Sequence, residues 1–138
     1  MNTRLCNYLD ELCILNENQA GFRRNYSTTE HIFTIHILFE LLKLGKKKLH
    51  CAFIDFEKAF DSLQRNLLLF KLLQNEVNGK FFRVIQSMYN YAKSRIINQG
   101  KTYDFFPCEM GVRQGENLSP ALFFIFLNDL PTFFEKKP

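Results

Sequence analysis

The stretch AFIDFEKAFDSL, residues 52–63, joins an apolar run to a cluster of acidic side chains. The run begins slightly earlier, because LHCAFIDF, residues 49–56, is short, apolar and rich in residues that favour strands. A turn of buried helix fits the same letters, but Gly45 and the lysines at 46–48 favour a strand. We therefore predict a strand over residues 49–56 that carries Asp55 at its end.

Three acidic side chains follow one another in this stretch, at Asp55, Glu57 and Asp61. A carboxylate at the end of a buried strand is unfavourable unless a positive group holds it. A bound divalent metal is one solution, because hard cations such as Mg²⁺ take oxygen ligands. Capping of a helix or turn is the alternative. We predict that Asp55 is a metal ligand and that Asp61 caps or organises a loop.

A second polar stretch, GVRQGENLSPALF at residues 111–123, leads into a helix. Two glycines bracket an arginine and a glutamine there, in the order Gly111, Arg113, Gln114, Gly115. Glycines let a backbone approach a ligand closely, and the two polar side chains supply donors for a phosphate or a base edge. A turn of solvated polar residues fits the same letters, so both readings stay open.

The rest of the chain alternates between helical and strand-like patterns. Apolar residues at helical spacing predict helices over residues 4–15, 27–45, 64–75, 80–91 and 119–130. SRIINQGKTYDFF, residues 94–106, is typical of a β-hairpin that turns at residues 98–101. The order is two helices, a strand, two helices, a hairpin and a helix. It predicts an α+β fold that is mostly helical, with a small antiparallel sheet.

Several helix ends carry specific sequence patterns. Ser27 and Glu30 are spaced as a capping box, in which each side chain bonds an amide of the first turn. Gly45 is expected to end the same helix in a left-handed conformation. Ser119 is expected to cap the last helix, with Pro120 in its first turn.

Composition narrows the class of protein. The chain has 138 residues, enough for one domain, and 46% of them are apolar, enough for a core. A net charge of +4 is consistent with a phosphate-bearing partner without requiring one. The four cysteines show no metal-site spacing, and the longest apolar run, residues 121–127, is too short to cross a membrane. We expect an intracellular protein, nuclear or cytoplasmic, with no membrane partner.

Three motifs together resemble the reverse transcriptases of non-LTR (LINE-type) retrotransposons. IDFEKAFDSL is similar to their first catalytic motif, and GVRQGENLSP is similar to their second palm motif. NQAGFRRNYSTTEHI, residues 18–32, resembles their segment between fingers and palm. The motifs occur in the family's order, and the resemblance covers nearly all of residues 4–134. It implies that residues 1–138 form part of a right-hand polymerase domain, with pieces of fingers and palm.

The resemblance implies a role for each matching residue of the first motif. Asp55 would be the first catalytic aspartate and a ligand of both Mg²⁺ ions, and the backbone carbonyl of Phe56 would help to coordinate metal. Phe60 would be the steric gate, whose ring excludes a ribose 2′-hydroxyl so that deoxynucleotides fit and ribonucleotides clash.

The second motif receives roles in the same way. Gln114 and Gly115 would pack against the incoming nucleotide and the template. Arg113 would approach the template backbone or the nucleotide. Ser119 and Pro120 would open the helix that supports this loop.

The reaction that the resemblance implies is transfer of a deoxynucleotide from its triphosphate to a primer 3′-hydroxyl, directed by an RNA template. RNA template, DNA primer, dNTP and Mg²⁺ are therefore the expected partners and cofactor. In the upstream segment, Arg23 and Arg24 would contact the template backbone, with simple solvation as the alternative.

Parts of the family's pattern are absent from this sequence. It contains no adjacent pair of aspartates, which is the family's third palm motif, and no upstream fingers motif or thumb. We therefore expect no polymerase activity from this chain alone. A non-catalytic nucleic-acid-binding remnant and, more weakly, a metal-dependent nuclease are the alternatives. The strand at 49–56 would also present an unpaired apolar edge, so we expect marginal stability or aggregation.

Overall fold

The computed structural model describes residues 1–23 and 25–135. Within them the chain forms six helices and four strands of two residues each. The elements are α1 (Asn2–Glu11), α2 (Thr28–Leu44), α3 (Arg65–Gln74), α4 (Gly79–Asn90), β1 (Lys93–Ser94), β2 (Ile97–Asn98), β3 (Lys101–Thr102), β4 (Phe106–Pro107), α5 (Ser119–Leu127) and α6 (Leu130–Glu135). The predicted fold class, mostly helical α+β with a small antiparallel sheet, is confirmed at this level.

A single apolar core joins four of the helices. α3 packs against both α4 and α5, and α1 packs against α5. α1, α3 and α4 each contribute apolar residues from one side, whereas α5 is packed against the core on all sides. The most deeply buried of them are Leu5, Leu9, Leu68, Leu72, Ile85, Tyr89, Leu122 and Ile125. The predicted bounds of α3 and α4 agree with the structure to within a residue, whereas α1 ends earlier than residue 15.

α2 differs from the other long helices, because it contains no buried residue. The Ser27 side chain caps its start by accepting a hydrogen bond from the Thr29 amide, with 3.1 Å between Oγ and N. No reciprocal bond from the Glu30 side chain occurs in the described residues, so only half of the predicted capping box forms. The prediction of a left-handed Gly45 is wrong, since its φ is −79° and the positive φ falls on Lys46.

The strand predicted over residues 49–56 is also wrong. These residues belong to no strand and form no backbone hydrogen bond within the described part of the chain. Every side chain from 49 to 56 is exposed, and that of Phe53 is 85% exposed. A strand exists only where a neighbouring strand accepts and donates its hydrogen bonds, and no described segment does so here.

The hairpin at residues 94–106 is confirmed. β2 and β3 pair antiparallel, with Asn98 opposite Lys101. Gln99 and Gly100 between them have φ values of 48° and 76°. Positive φ at both central positions defines the two-residue turn that matches the natural twist of a hairpin. β1 and β4 continue the arm towards the core with a second antiparallel pair.

The start of the last predicted helix needs correction. Ser119 is the first residue of α5 rather than its cap, and the cap position is Leu118, which makes no capping bond. Pro120 lies in the first turn as predicted. The predicted helix over 119–130 is interrupted after Leu127, and a separate helix, α6, follows. None of the helices in the described residues is long and apolar enough to span a membrane.

Candidate nucleotide site

The two motifs meet through their backbones. The Val112 amide donates to the Phe60 carbonyl, and the Gly111 amide donates to the Leu63 carbonyl, each at 2.8 Å. Gly111 has a φ of +79°, and a Cβ added there would lie 2.8 Å from the Asp61 carbonyl oxygen. Glycine at this position therefore permits both the left-handed turn and the close approach of the two chains. The turn that follows Asp55 is thereby fixed against the loop at residues 111–115.

A cavity of about 700 Å³ opens beside this junction. Phe60, Gln114 and Gly115 all line it, so the structure brings together the three residues assigned to the nucleotide. The lining also includes residues of α1 and of the loop that follows it, namely Asn2, Cys6, Asn7, Asp10, Phe22 and Arg23. The Phe60 ring packs on Phe123 of α5, with 5.0 Å between ring centroids. Its position in the wall is therefore supported by the core.

Asp61 organises the same junction. Its carboxylate lies 3.4 and 3.5 Å from the side-chain nitrogen of Gln114, which is a long contact between exposed groups. Its own amide donates to the Lys58 carbonyl at 2.9 Å within the turn. α3 begins later, with Gln64 as its cap residue, so Asp61 caps no helix. Of its two predicted structural roles, that of a loop organiser fits the contacts.

Arg113 turns away from the cavity and braces the loop. Its guanidinium forms an ion pair with Glu116 at 2.9 Å and donates to the Met88 carbonyl at 3.1 Å. The Ser119 hydroxyl, which is buried, donates to the Arg113 carbonyl at 2.6 Å. Ser119 thus supports the loop by bonding the Arg113 carbonyl, and it does not cap α5. A contact between Arg113 and the template stays a prediction.

Arg65 of α3 supports the start of the loop at residues 111–115. The sequence motifs did not identify Arg65 as part of the site. Its guanidinium donates to the carbonyls of Gly111 at 2.8 Å, Tyr89 at 3.0 Å and Met110 at 2.9 Å, and also to that of Cys108. Loss of hydration lowers the pKa of Arg65 from its ordinary value. An arginine in the first turn of a helix gives no sign in sequence that four distant carbonyls will surround it.

Arg23 lies at the cavity wall but is engaged by its own loop. It donates to the carbonyls of Asn16 at 3.1 Å and Gln19 at 3.3 Å. Its guanidinium carbon lies 3.8 Å from the centre of the Tyr26 ring. These contacts fix the segment between α1 and α2, and a template contact stays a prediction. Arg24 lies outside the described residues.

Asp55 and Phe56 do not line the cavity. Both are exposed, and Asp55 forms no hydrogen bond or ion pair within residues 1–23 and 25–135. Those same residues contain no group of three His, Cys, Asp or Glu side chains that could hold a metal ion. Mg²⁺ needs several oxygen ligands. One carboxylate does not provide them, so the residues present do not complete a magnesium site.

Two polar residues after α5, Asn128 and Asp129, tie the end of that helix to other parts of the chain. Asn128 bridges to the loop after α1, accepting from the Asn16 amide and donating to the Ile14 carbonyl, both at 2.7 Å. Asp129 pairs with Lys71 of α3 at 2.5 Å. The hydrogen bond from Lys71 lowers the pKa of Asp129.

Comparison with known proteins agrees with these motifs. A family model described as reverse transcriptase (RNA-dependent DNA polymerase) matches residues 1–138. The chain is 33% identical over 134 residues to the probable RNA-directed DNA polymerase from transposon BS of Drosophila melanogaster, covering 93% of this chain and 14% of that protein. It is 32% identical over 114 residues to the RNA-directed DNA polymerase from mobile element jockey of Drosophila funebris, covering 82% and 12%.

A third relative comes from another insect. The Retrovirus-related Pol polyprotein from type-1 retrotransposable element R2 of Nasonia vitripennis is 27% identical over 119 residues, covering 86% of this chain and 12% of that protein. The chain thus spans 12% to 14% of the length of these three relatives. It belongs to the reverse transcriptase (RNA-dependent DNA polymerase) family, among the reverse transcriptases of non-LTR retrotransposons.

Proposed function

We propose that this chain supplies the nucleotide-holding part of an RNA-directed DNA polymerase. The reaction would join deoxynucleotides to a primer 3′-hydroxyl, with RNA as template. The observation that carries the proposal is the docking of residues 60–63 on residues 111–112, which places Phe60, Gln114 and Gly115 around one cavity. We propose further that these elements are parts of the palm and fingers of a right-hand polymerase.

Phe60 would select the sugar. Its ring is half-buried, packs on Phe123 and still forms part of the cavity wall. A ring held in this way does not move aside without disturbing the core, because packed interiors resist displacement. A ribose whose 2′-hydroxyl meets the ring would clash, whereas a deoxyribose would fit.

The loop at residues 113–116 would hold the rest of the nucleotide. Gly115 has a φ of +82°, and a Cβ added there would meet nothing within 4 Å. The backbone is therefore open on the side where a base or a phosphate could approach. Gln114, whose amide faces Asp61, would be oriented by that carboxylate to donate and accept within the cavity.

Asp55 would contribute one carboxylate to a Mg²⁺ site, and the Phe56 carbonyl a second oxygen. The described residues do not complete that site. Magnesium, when bound, would offset the negative charge of the triphosphate and favour loss of the proton from the primer 3′-hydroxyl. We therefore propose that the chain binds nucleotide but does not extend a primer by itself. The non-catalytic alternative, a nucleic-acid-binding remnant, predicts no preference between deoxyribonucleotides and ribonucleotides.

Sugar discrimination tests the proposal directly. Isothermal titration of the purified chain with dATP and with ATP, both with Mg²⁺, should give tighter binding of dATP. Phe60→Ala should bring the two affinities together, because the ring that excludes the hydroxyl is gone. Phe70→Ala is the matched control, since Phe70 is an exposed ring on α3 away from the cavity. Equal affinities of the unaltered chain for dATP and ATP would contradict the proposal.

Primer extension is a second test. The purified chain, given a primed RNA template, dNTPs and Mg²⁺, should incorporate no nucleotide. Extension by this chain that is lost in Asp55→Ala would show that the site is complete without further residues, contrary to the proposal.

A further inference from the structure

The hairpin arm, residues 91–107, exposes an unusual set of side chains. Four aromatic rings in it face solvent, at Tyr91, Tyr103, Phe105 and Phe106. Exposed aromatic groups so close together are unfavourable in water unless a partner covers them. The four strands of the arm are free of the core, because every residue in them is exposed.

Positive charge is interleaved with these rings. Three cations, Lys93, Arg95 and Lys101, stand in the arm against one carboxylate, Asp104. All four charged residues are exposed, and none forms an ion pair in the described residues. The arm therefore offers an excess of positive charge that no acidic side chain neutralises. A partner with regularly spaced negative charges would complement it.

Cation and ring share one side of the arm. Arg95 directly follows β1 and lies two residues after Lys93 of that strand. The guanidinium carbon of Arg95 is 5.2 Å from the centre of the Phe105 ring. The Phe105 ring thus lies next to one cation, and a second, Lys93, is exposed two residues earlier in the chain. A nucleobase could stack on Phe105 while its flanking phosphates meet Arg95 and Lys93.

The arm is held in a defined position. At its base the Cys108 amide donates to the Ala92 carbonyl at 3.0 Å, and Arg65 of α3 donates to the Cys108 carbonyl. Farther out, the Tyr103 amide donates to the Ile96 carbonyl at 3.0 Å. A platform ordered before binding loses less entropy when the ligand arrives.

α2 shows why charge decides the kind of partner. It too exposes apolar residues along its whole length, but its charged residues are two glutamates, Glu30 and Glu40, and one lysine, Lys43. That balance repels phosphate or is neutral towards it. The arm, by contrast with α2, combines exposed rings with an excess of cations.

We propose that the hairpin arm binds single-stranded nucleic acid, by stacking of a base on Phe105 and contacts of phosphates with Arg95 and Lys93. No residue of the arm lines the cavity, so this site is separate from the one that would hold the nucleotide. The proposal goes beyond the proposed function. It assigns the arm to a stretch of unpaired strand that lies outside the cavity.

Oligonucleotide binding tests the proposal. Fluorescence anisotropy would measure the affinity of the full chain for a labelled single-stranded RNA of about 12 nucleotides. Phe105→Leu should weaken binding about tenfold, since it removes a stacking ring. Arg95→Gln should weaken binding and lower the slope of log affinity against log salt by about 0.7, the value for one phosphate contact on a single strand.

Two control variants match these changes elsewhere on the surface. Phe70 of α3 is 56% exposed, against 62% for Phe105, so Phe70→Leu removes a comparable ring. Arg83 of α4 is exposed like Arg95, so Arg83→Gln removes the same charge. Both controls should bind RNA as the unaltered chain does. The altered residues are all exposed, and unfolding curves should confirm that the variants fold alike.

Three outcomes would overturn the proposal. The first is no binding of the RNA at about 100 µM protein. The second is equal weakening by arm and control variants, which would mean attraction by net charge alone. The third is concentration-dependent self-association that Phe105→Leu abolishes without any effect on RNA, which would make the arm a protein contact. Phe60→Ala should leave RNA affinity unchanged while it alters the dATP preference, so the two proposals can fail separately.

Discussion

Two regions of the chain are rich in apolar residues. One is the set of helices α1, α3, α4 and α5, and the other is the segment from residue 28 to 56, which contains α2. Only the first region forms a core. Leu72 of α3 is completely buried, whereas Leu41 of α2 is 59% exposed. The difference is the presence of a neighbour, since an apolar face is stabilised only by another face that covers it. Apolar spacing therefore predicts that one face of a helix favours burial. Whether that face is buried depends on whether another element packs against it.

The candidate site crosses the boundary between these two regions. Phe60 stands on the covered side, because it packs on α5 and its carbonyl binds the Val112 amide. Asp55, only five residues earlier, lies in the exposed segment and forms no hydrogen bond or ion pair with the described residues. The wall assigned to the nucleotide is thus formed by the core, and the carboxylate assigned to the metal is not.

Truncation of leucines would separate the two regions most strongly. Leu72→Ala should lower the free energy of unfolding by about 2–5 kcal/mol, because it leaves a cavity in a closed core. Leu41→Ala, in the middle of α2, should change it by less than about 0.5 kcal/mol. Denaturant unfolding of both variants gives the comparison. Similar losses would mean that α2 is covered in solution.

Gly111 tests whether the first motif is fixed to the second. Gly111→Ala and Gly100→Ala share the strain of a left-handed residue, with φ of +79° and +76°. Only the first also drives a Cβ into backbone oxygens at 2.8 and 2.9 Å, those of Asp61 and Phe60. Gly111→Ala should therefore lower the free energy of unfolding by about 1–3 kcal/mol more than Gly100→Ala. Equal effects in thermal melts would argue against the close approach.

Arg65 should matter through its carbonyl contacts. Arg65→Ala removes donors from four carbonyls and should cost about 1.5–3 kcal/mol of stability, as for hydrogen bonds to a charged group. Arg83→Ala, an exposed arginine on α4, should cost less than about 0.5 kcal/mol. Amide exchange at Gly111 should also rise in the first variant alone. If Arg65→Ala changes neither the stability nor the amide exchange at Gly111, Arg65 does not support the loop.

The smallest effect concerns pH and the Lys71–Asp129 pair. The hydrogen bond from Lys71 lowers the pKa of Asp129 in the folded chain. Its stabilisation is therefore fully present above the unfolded pKa, about 3.9, and is lost as pH falls through the lower folded pKa. Because Asp129 is largely exposed, the effect should stay below about 1 kcal/mol.

Stability curves between pH 6 and strongly acidic pH measure this effect. Asp129→Asn should flatten the acid loss slightly. Asp104→Asn, at an exposed aspartate without an ion pair in the described chain, should not. An equal change in both variants would mean that the Lys71–Asp129 pair does not cause the acid loss of stability.

Local sequence patterns predicted the features that depend on near neighbours. α3, α4 and the turn at residues 98–101 lie where spacing and turn residues indicated. The strand at 49–56 failed because strand formation depends on a partner that the pattern does not contain. The predicted Ser119 cap was wrong, because its hydroxyl donates to the Arg113 carbonyl and accepts no hydrogen bond from an amide of its own helix.

The site was predictable in part for the same reason. The motif resemblance selected Phe60, Gln114 and Gly115, and the structure places them at one cavity. The side chains that brace the two parts of the cavity wall were not predictable. Arg65 bonds carbonyls below the loop at residues 111–115, Asn128 bonds the loop after α1, and all of these partners lie more than 20 residues away. Backbone groups have the same chemistry in every residue, so sequence does not show which of them a distant side chain will meet.

Amide hydrogen exchange tests the central claim most directly, namely that the nucleotide wall belongs to the core and the Asp55 segment does not. The amide of Val112, bound to the Phe60 carbonyl, should be protected like those in the middle of α3. Amides of residues 51–56 should exchange at the rate of an unstructured peptide. Strong protection of residues 51–56, or rapid exchange at Val112, would contradict the account.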